Sequence, residues 1–223
     1  MIIAIDGPAG SGKSTVAKLV AQRLGFHYLD TGAMYRAVAF RVLASGVSVH
    51  DTERVGQIAE QCEVSFGHEP GEHLPSRVFI EGEDVTAAIR VPHVDDAVSA
   101  VASMPRVRAA MLGQQRRIAA ADDIVIEGRD IGTVVFPDAE IKVFLTATPE
   151  ERSRRRAAQQ AASGLLVDPV GVRESMLRRD EADSGRQIAP LVPADDAHVL
   201  DTTGLGPKAV ADRIVAYFEE PSP

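Results

Sequence analysis

Gly7-Pro8-Ala9-Gly10-Ser11-Gly12-Lys13-Ser14 decides how this chain is built: it satisfies G-x-x-x-x-G-K-[ST] at every position, between a short apolar run and a helical segment. The run is Ile2 to Asp6. The helical segment is Ser14 to Leu24, where Val16, Leu19, Val20 and Leu24 share one face. Strand, glycine turn and helix are the context that makes this motif a phosphate-binding loop. Its glycines let successive backbone N–H groups point inward at phosphate oxygens, where a side chain would block the approach, and the helix start adds its positive dipole end. Gly7, Pro8, Ala9, Gly10, Ser11, Gly12, Lys13, Ser14 and Thr15 are thus expected to hold a nucleoside triphosphate. Lys13 would reach the β- and γ-phosphates, and Ser14 would offer its hydroxyl to Mg²⁺.

Outward from that loop, Phe26 to Leu29, Ile124 to Ile126, Ile141 to Leu145 and His198 to Leu200 are further short apolar runs, separated by stretches of helical periodicity. Alternating strands and helices predict an α/β fold with a mostly parallel sheet of about five strands covered on both faces, and ligands beyond the carboxyl ends of the strands. Two segments break the rhythm. Between Cys62 and Glu83, Val64, Phe66, Val78 and Ile80 alternate with polar residues around the Gly/Pro/His-rich stretch Gly67 to Pro75, which predicts a small antiparallel insertion whose tip is independent of the core. Glu150 to Arg156 is a run of charge leading into the helix-favouring Ala157 to Ala162. Gly164 and Pro169 then punctuate the way to a second arginine-rich helix around Arg173 to Arg179, and this region reads as a lid. The whole is one domain over 1–223, with the insertion at about 62–92 and the lid at about 150–168. Pro221 to Pro223 reads as a disordered tail.

Composition narrows the function classes. At 223 residues, 45% hydrophobic and 25% charged, the chain is an ordinary globular domain, and no apolar run approaches the ~20 residues that span a bilayer. The apolar start is too short for a secretory leader, which predicts a cytoplasmic address. A net charge of −8 argues against a broad basic field for nucleic-acid polymers or anionic membranes. The positive charge is nearly all arginine, whose fork suits bidentate phosphate contacts. The one cysteine, Cys62, has no partner for a disulfide or a thiolate metal site and reads as a buried structural thiol.

A triphosphate loop does not say what is done with the triphosphate. A guanine-reading switch normally carries N-K-x-D, and this chain contains no asparagine. A motor or transporter ATPase needs an apolar strand ending in a metal-holding carboxylate; Ile124-Val125-Ile126-Glu127 offers one, but runs straight into Gly128-Arg129-Asp130. Asp30-Thr31-Gly32-Ala33-Met34-Tyr35-Arg36 follows the second strand and opens a helix, where Thr31, Arg36 and the helix N-terminus are placed to grip a phosphate. By itself that segment is equally a capped helix with a surface arginine. Beside Arg129 at the same sheet edge, it makes a second anion site next to the first, as a kinase needs.

Those motifs, with Pro105-Arg106-Val107-Arg108, Gly128-Arg129-Asp130-Ile131-Gly132-Thr133-Val134-Val135-Phe136-Pro137 and Ala189-Pro190-Leu191, resemble bacterial cytidylate kinases from end to end. The resemblance implies a P-loop kinase core with an enlarged monophosphate-binding insertion, transfer of the γ-phosphoryl group of ATP to CMP or dCMP with Mg²⁺, and action as a monomer. It also implies residue roles. Lys13, Arg36 and Arg129 would be catalytic; Thr31, Arg36 and Arg129 would hold the acceptor phosphate, Thr31 standing where the family commonly has serine. Ser99, Arg108 and Asp130 would read the cytosine. Arg179, Asp183 and Arg186 would contact the acceptor's ribose and phosphate, although the spacing of Asp183 and Arg186 equally allows a surface salt bridge. Arg152 and its neighbours would belong to the lid over ATP. Direct in-line transfer needs no covalent intermediate, and an ionised acceptor phosphate needs no dedicated base, so neither Asp30 nor Asp130 is assigned that part.

Overall fold

The computed structural model describes residues 1–69, 71–120, 122–162, 164 and 166–219; the tail at Pro221 to Pro223 lies outside the described residues. Its centre is β1 (Ile2–Asp6), flanked in a five-stranded sheet of order β2-β6-β1-β7-β8 by β2 (His27–Asp30), β6 (Ile124–Glu127), β7 (Ile141–Thr146) and β8 (His198–Asp201). All four pairings are parallel. Both faces are covered, so β1 is apolar from Ile2 to Ile5 and ends in Asp6. Ile3 and Ile5 pack with Val16, Val20 and Ile214 of α1 (Lys13–Leu24) and α8 (Pro207–Glu219). Ala4 faces the opposite cluster with Leu29, Met34, Val38 and Ile126. Each large aliphatic side chain wholly withdrawn from water in this way contributes about 1.5 to 3 kcal/mol of burial.

The second cluster is built by helices from the middle of the chain: α2 (Thr31–Ala44), α3 (Thr52–Gln61), α4 (Pro92–Ala102) and α5 (Pro105–Ala119). Between α3 and α4 lies a three-stranded antiparallel sheet, β3 (Val64–His68), β4 (Pro75–Ile80) and β5 (Glu83–Asp84), followed by a 3₁₀ turn at Ala88–Arg90. Alternation places Val64, Val78 and Ile80 in the core while Phe66 is half-buried. Cys62 is buried beside them, and burial pushes its thiol up to about 11, consistent with an inert structural thiol. The hairpin tip is not independent of the core. Leu74 packs against the α1/α8 cluster, and the rings of His68 and His73 meet His27 edge-on at 5.9 and 5.4 Å. Strand order supplies the reason: β2, which begins at His27, is an edge strand, and the tip covers it.

Between β7 and β8 lie α6 (Pro149–Ala162) and α7 (Pro169–Ser184); Asp168 caps α7 by accepting from Val170 N and Gly171 N, with Pro169 at its first position. No helix among the described residues is long and apolar enough to cross a membrane.

Candidate active site

The carboxyl ends of β1, β2 and β6 lie side by side, because β6 pairs with both β1 and β2. The P-loop, the start of α2 and Gly128-Arg129-Asp130 therefore emerge together. Two glycines of the P-loop have no substitute. At Gly7, φ is +144° and a Cβ would stand 2.0 Å from the Leu145 carbonyl oxygen. At Gly10, φ is +75° and a Cβ would press on the Arg152 backbone at 2.9 Å and the Met176 side chain at 2.8 Å. The loop is wedged between β7, α6 and α7. Ser11 donates to Pro8 O at 3.0 Å, and Lys13 Nζ donates to the same oxygen at 2.7 Å. Beside it is a cavity of about 420 Å³ whose walls include Gly12, Lys13, Thr15, Arg155, Arg156 and Thr202. A larger cavity, about 790 Å³, opens at the opposite, amino-terminal end of the sheet around Met1, Asp123 and Pro137, and contains none of the predicted site residues.

Lys13 is held well below its ordinary value, first by burial and then by the nearby charge of Arg129. Arg179 is pushed down to about 10 by burial, with Arg129 and Arg36 adding to the effect. Cations that depress one another in a sheltered place mark a site shaped for anions. Arg179 Nε and Arg186 Nε are buried without a hydrogen-bond partner among the described residues, so donors remain for a ligand. Arg129 Nε donates to Asp183 at 2.9 Å, and Arg186 pairs with the other oxygen of that carboxylate. Asp183 is 1% exposed, which removes the surface salt bridge as a reading. Burial acts to raise its carboxyl, but Arg129 and Arg186 outweigh it and hold the group below the usual range.

Arg36 and the Arg108–Asp130 pair lie close enough to this group to act on its charges. Arg36 extends from α2 and donates through Nε to Asp95 at 3.0 Å. Thr31 is buried, its hydroxyl donating to Glu127 O at 2.7 Å, and Asp30 caps α2 by accepting from Ala33 N at 2.9 Å. Arg108 and Asp130 form a buried ion pair, with the Arg108 guanidinium over the Tyr35 ring at 5.6 Å. Ser99 is half-buried on α4, one turn after Asp95. Arg152 is turned into the protein: it donates to Ala147 O at 3.1 Å and to Ala9 O at 3.2 Å, and pairs with Asp180 at 2.5 Å. It thus props the P-loop from behind.

Four contributions escaped the sequence reading. Asp6, at the end of β1, accepts from Ile131 N at 2.9 Å and Gly132 N at 2.8 Å, clamping the π-helical turn Ile131–Val135 that follows Asp130. Arg116 of α5 grips the same turn from behind through Val135 O at 3.0 Å. Arg155 donates to Thr202 Oγ1 at 2.9 Å and to Ser11 O at 3.4 Å, tying α6 to the P-loop and to the segment after β8. Arg156 joins Asp95 at 2.5 Å. Each partner is remote in the chain, and only the arginine run had signalled any of them.

The assembled geometry is a glycine-rich loop with a buried lysine beside a second cluster of arginines and a buried Arg108–Asp130 pair. Comparison with known proteins agrees with it along the whole chain. A family model described as cytidylate kinase matches residues 3–220. A cytidylate kinase of Pelotomaculum thermopropionicum is 50% identical over 214 residues, covering 96% of this chain and 94% of that protein. One of Desulfitobacterium hafniense is 46% identical over 218 residues, covering 98% and 92%. Among solved structures, an uncharacterized protein from Eubacterium ventriosum superposes with a TM-score of 0.53 at 14% identity, covering 99% of each chain, a likeness of fold alone. With identity of this level over nearly its full length, and with the P-loop and the second anion site at one sheet edge, the chain belongs to the cytidylate kinase family.

Proposed function

We propose that the chain transfers the γ-phosphoryl group of ATP to the phosphate of cytidine monophosphate, and of its deoxy form, producing ADP and the nucleoside diphosphate. The observation that carries this is the convergence of Lys13 with Arg36, Arg129 and Arg179 beside the Arg108–Asp130 pair. In this reading Lys13 and the P-loop amides neutralise the donor's β- and γ-phosphates, while Arg36, Arg129 and Arg179 hold the acceptor phosphate in line with them. Arg186 and Asp183 keep Arg129 in register on the acceptor side. Asp130, acting only as an acceptor when ionised and held by Arg108, pairs with the cytosine amino group, with Ser99 completing the edge. No residue is assigned as general base, because the acceptor phosphate is ionised near neutral pH.

Mg²⁺ fits the donors present. The Ser14 hydroxyl neighbours the Glu127 carboxylate, whose proton is held above the usual range by burial and by Asp30. No cluster of three His, Cys, Asp or Glu that could hold a metal ion is found among the described residues. Bound there, Mg²⁺ would neutralise charge between the β- and γ-phosphates. The arginines of α6 form the lid side, and closure there excludes water as a competing acceptor. In this reading the enzyme is a monomer and cytoplasmic, and no helix among the described residues is long and apolar enough to cross a membrane.

The test is ADP release with Mg-ATP over a panel of CMP, dCMP, UMP, AMP and shikimate. Turnover of CMP well above UMP and shikimate is expected. Preferential use of UMP or shikimate would replace the acceptor, and no turnover of any of them would leave a nucleotide-binding regulator.

A further inference from the structure

Asp95 lies in the first turn of α4, and its two carboxylate oxygens serve two other helices. Oδ1 accepts from Arg36 Nε of α2 at 3.0 Å; Oδ2 accepts from Arg156 Nη2 of α6 at 2.5 Å. All three side chains are largely buried, with 19%, 24% and 26% exposure for Asp95, Arg36 and Arg156. Arg36 belongs to the acceptor side, whereas Arg156 lines the cavity beside Lys13. One carboxylate therefore spans both halves of the site.

The geometry at Arg36 gives this contact a direction. Because Asp95 takes Nε, the terminal fork of Arg36 stays free to present its two Nη groups elsewhere. Nη1 lies over the start of α2, 3.2 Å from where a Cβ on Gly32 would be. That is the helix N-terminus at which an acceptor phosphate is favoured. An acidic residue in a first helical turn is ordinarily explained by the helix dipole. The dipole alone does not account for a largely buried carboxylate whose two oxygens are shared by two arginines.

We infer that Asp95 is a positioning residue for both substrates, aiming Arg36 at the acceptor phosphate and drawing Arg156 of α6 across the donor cavity. Burial acts to raise its carboxyl, yet Arg36 and Arg156 outweigh burial and keep it below its ordinary value, so the bridge is charged at neutral pH. The inference rests on the nucleoside monophosphate kinase reading above, and CMP turnover by the unaltered enzyme tests that reading separately.

The experiment is a pair of double-mutant cycles on the full chain, following KM for CMP and for ATP. Asp95→Asn is expected to raise the CMP KM by about tenfold, the effect of loosening one charge-assisted contact, and the ATP KM by a smaller factor. In an Arg36→Ala background the same change should leave the CMP KM almost where Arg36→Ala put it. In an Arg156→Ala background it should leave the ATP KM unmoved. Asp95→Glu, which keeps the charge, should recover most of the loss. Circular dichroism and Tm accompany each variant, and Asp95→Ala replaces Asn should that variant fail to fold. Additive effects in both cycles would reduce Asp95 to a structural helix residue and overturn the inference. A CMP KM that falls in Asp95→Asn would also overturn it, since Asp95 would then compete with the acceptor for Arg36.

Discussion

Replacing Asp130 by asparagine tests the acceptor base at the atom where the choice between bases is made. Cytosine presents an amino group at its fourth ring position and uracil a carbonyl. Asp130 is 4% exposed, and one of its oxygens is committed to Arg108, itself 8% exposed. The other oxygen is the acceptor left for a base amine. In Asp130→Asn the shape is kept, but one oxygen becomes a donor and the charge is lost. A hydrogen bond to a charged partner contributes about 1.5 to 3 kcal/mol, roughly tenfold to 150-fold in kcat/KM. The ratio of kcat/KM for CMP over UMP is therefore expected to fall by about that factor, mainly through poorer use of CMP. Because Asn also leaves Arg108 buried beside a neutral partner, Tm should drop, and turnover is measured well below the new transition. The assay is coupled ADP release with each monophosphate at saturating Mg-ATP. An unchanged ratio in a folded variant, or a wild type preferring UMP, would refute the assignment of Asp130 to the cytosine edge while leaving phosphoryl transfer intact.

Lys13→Met should leave the circular dichroism spectrum in place and lower kcat by about a hundredfold or more, since the charge it removes faces phosphates; near-native turnover would take Lys13 out of the chemistry. Arg36→Ala and Arg129→Ala should each lower kcat/KM for CMP by roughly tenfold to 150-fold while shifting the ATP KM far less, and the reverse pattern would exchange the two anion sites. Asp6 carries a pH signature. Burial pushes its carboxyl up to about 6 from an ordinary 3.8, against the pull of the Gly132 and Ile131 N–H groups. The folded chain thus holds that proton more tightly than the unfolded one, and the contribution is present below about 3.8 and lost as pH rises through about 6. In urea titrations from roughly pH 4 to 7, the stability of wild type relative to Asp6→Asn should therefore decline as pH rises, and a relative stability that climbs with pH would show that burial does not dominate at Asp6.

What was legible in the sequence is what depends on near neighbours. The P-loop between Ile2 and Leu24, the apolar runs of the five parallel strands and the alternation of Val64, Val78 and Ile80 are local patterns, imposed by backbone sterics and by burial at a period of two or 3.6. Arg36 and Arg129 were named from motifs and Arg179 and Arg186 from the family resemblance, and the chain's own fold brings them together. Tertiary structure alone decided what holds them. Asp95 meets Arg36 and Arg156 across 59 and 61 positions of chain, and Asp6 reaches Ile131 across 125. No spacing rule selects such partners, because an acidic residue in a helix or at a strand end looks the same in sequence whether it meets solvent or an arginine. The same holds for Leu74, whose polar surroundings read as a free loop until β2 proved to be the sheet edge it covers. Local periodicity determines which face of an element is buried, but the order in which strands pair determines whose side chains meet over that face, and pairing order is a property of the assembled chain.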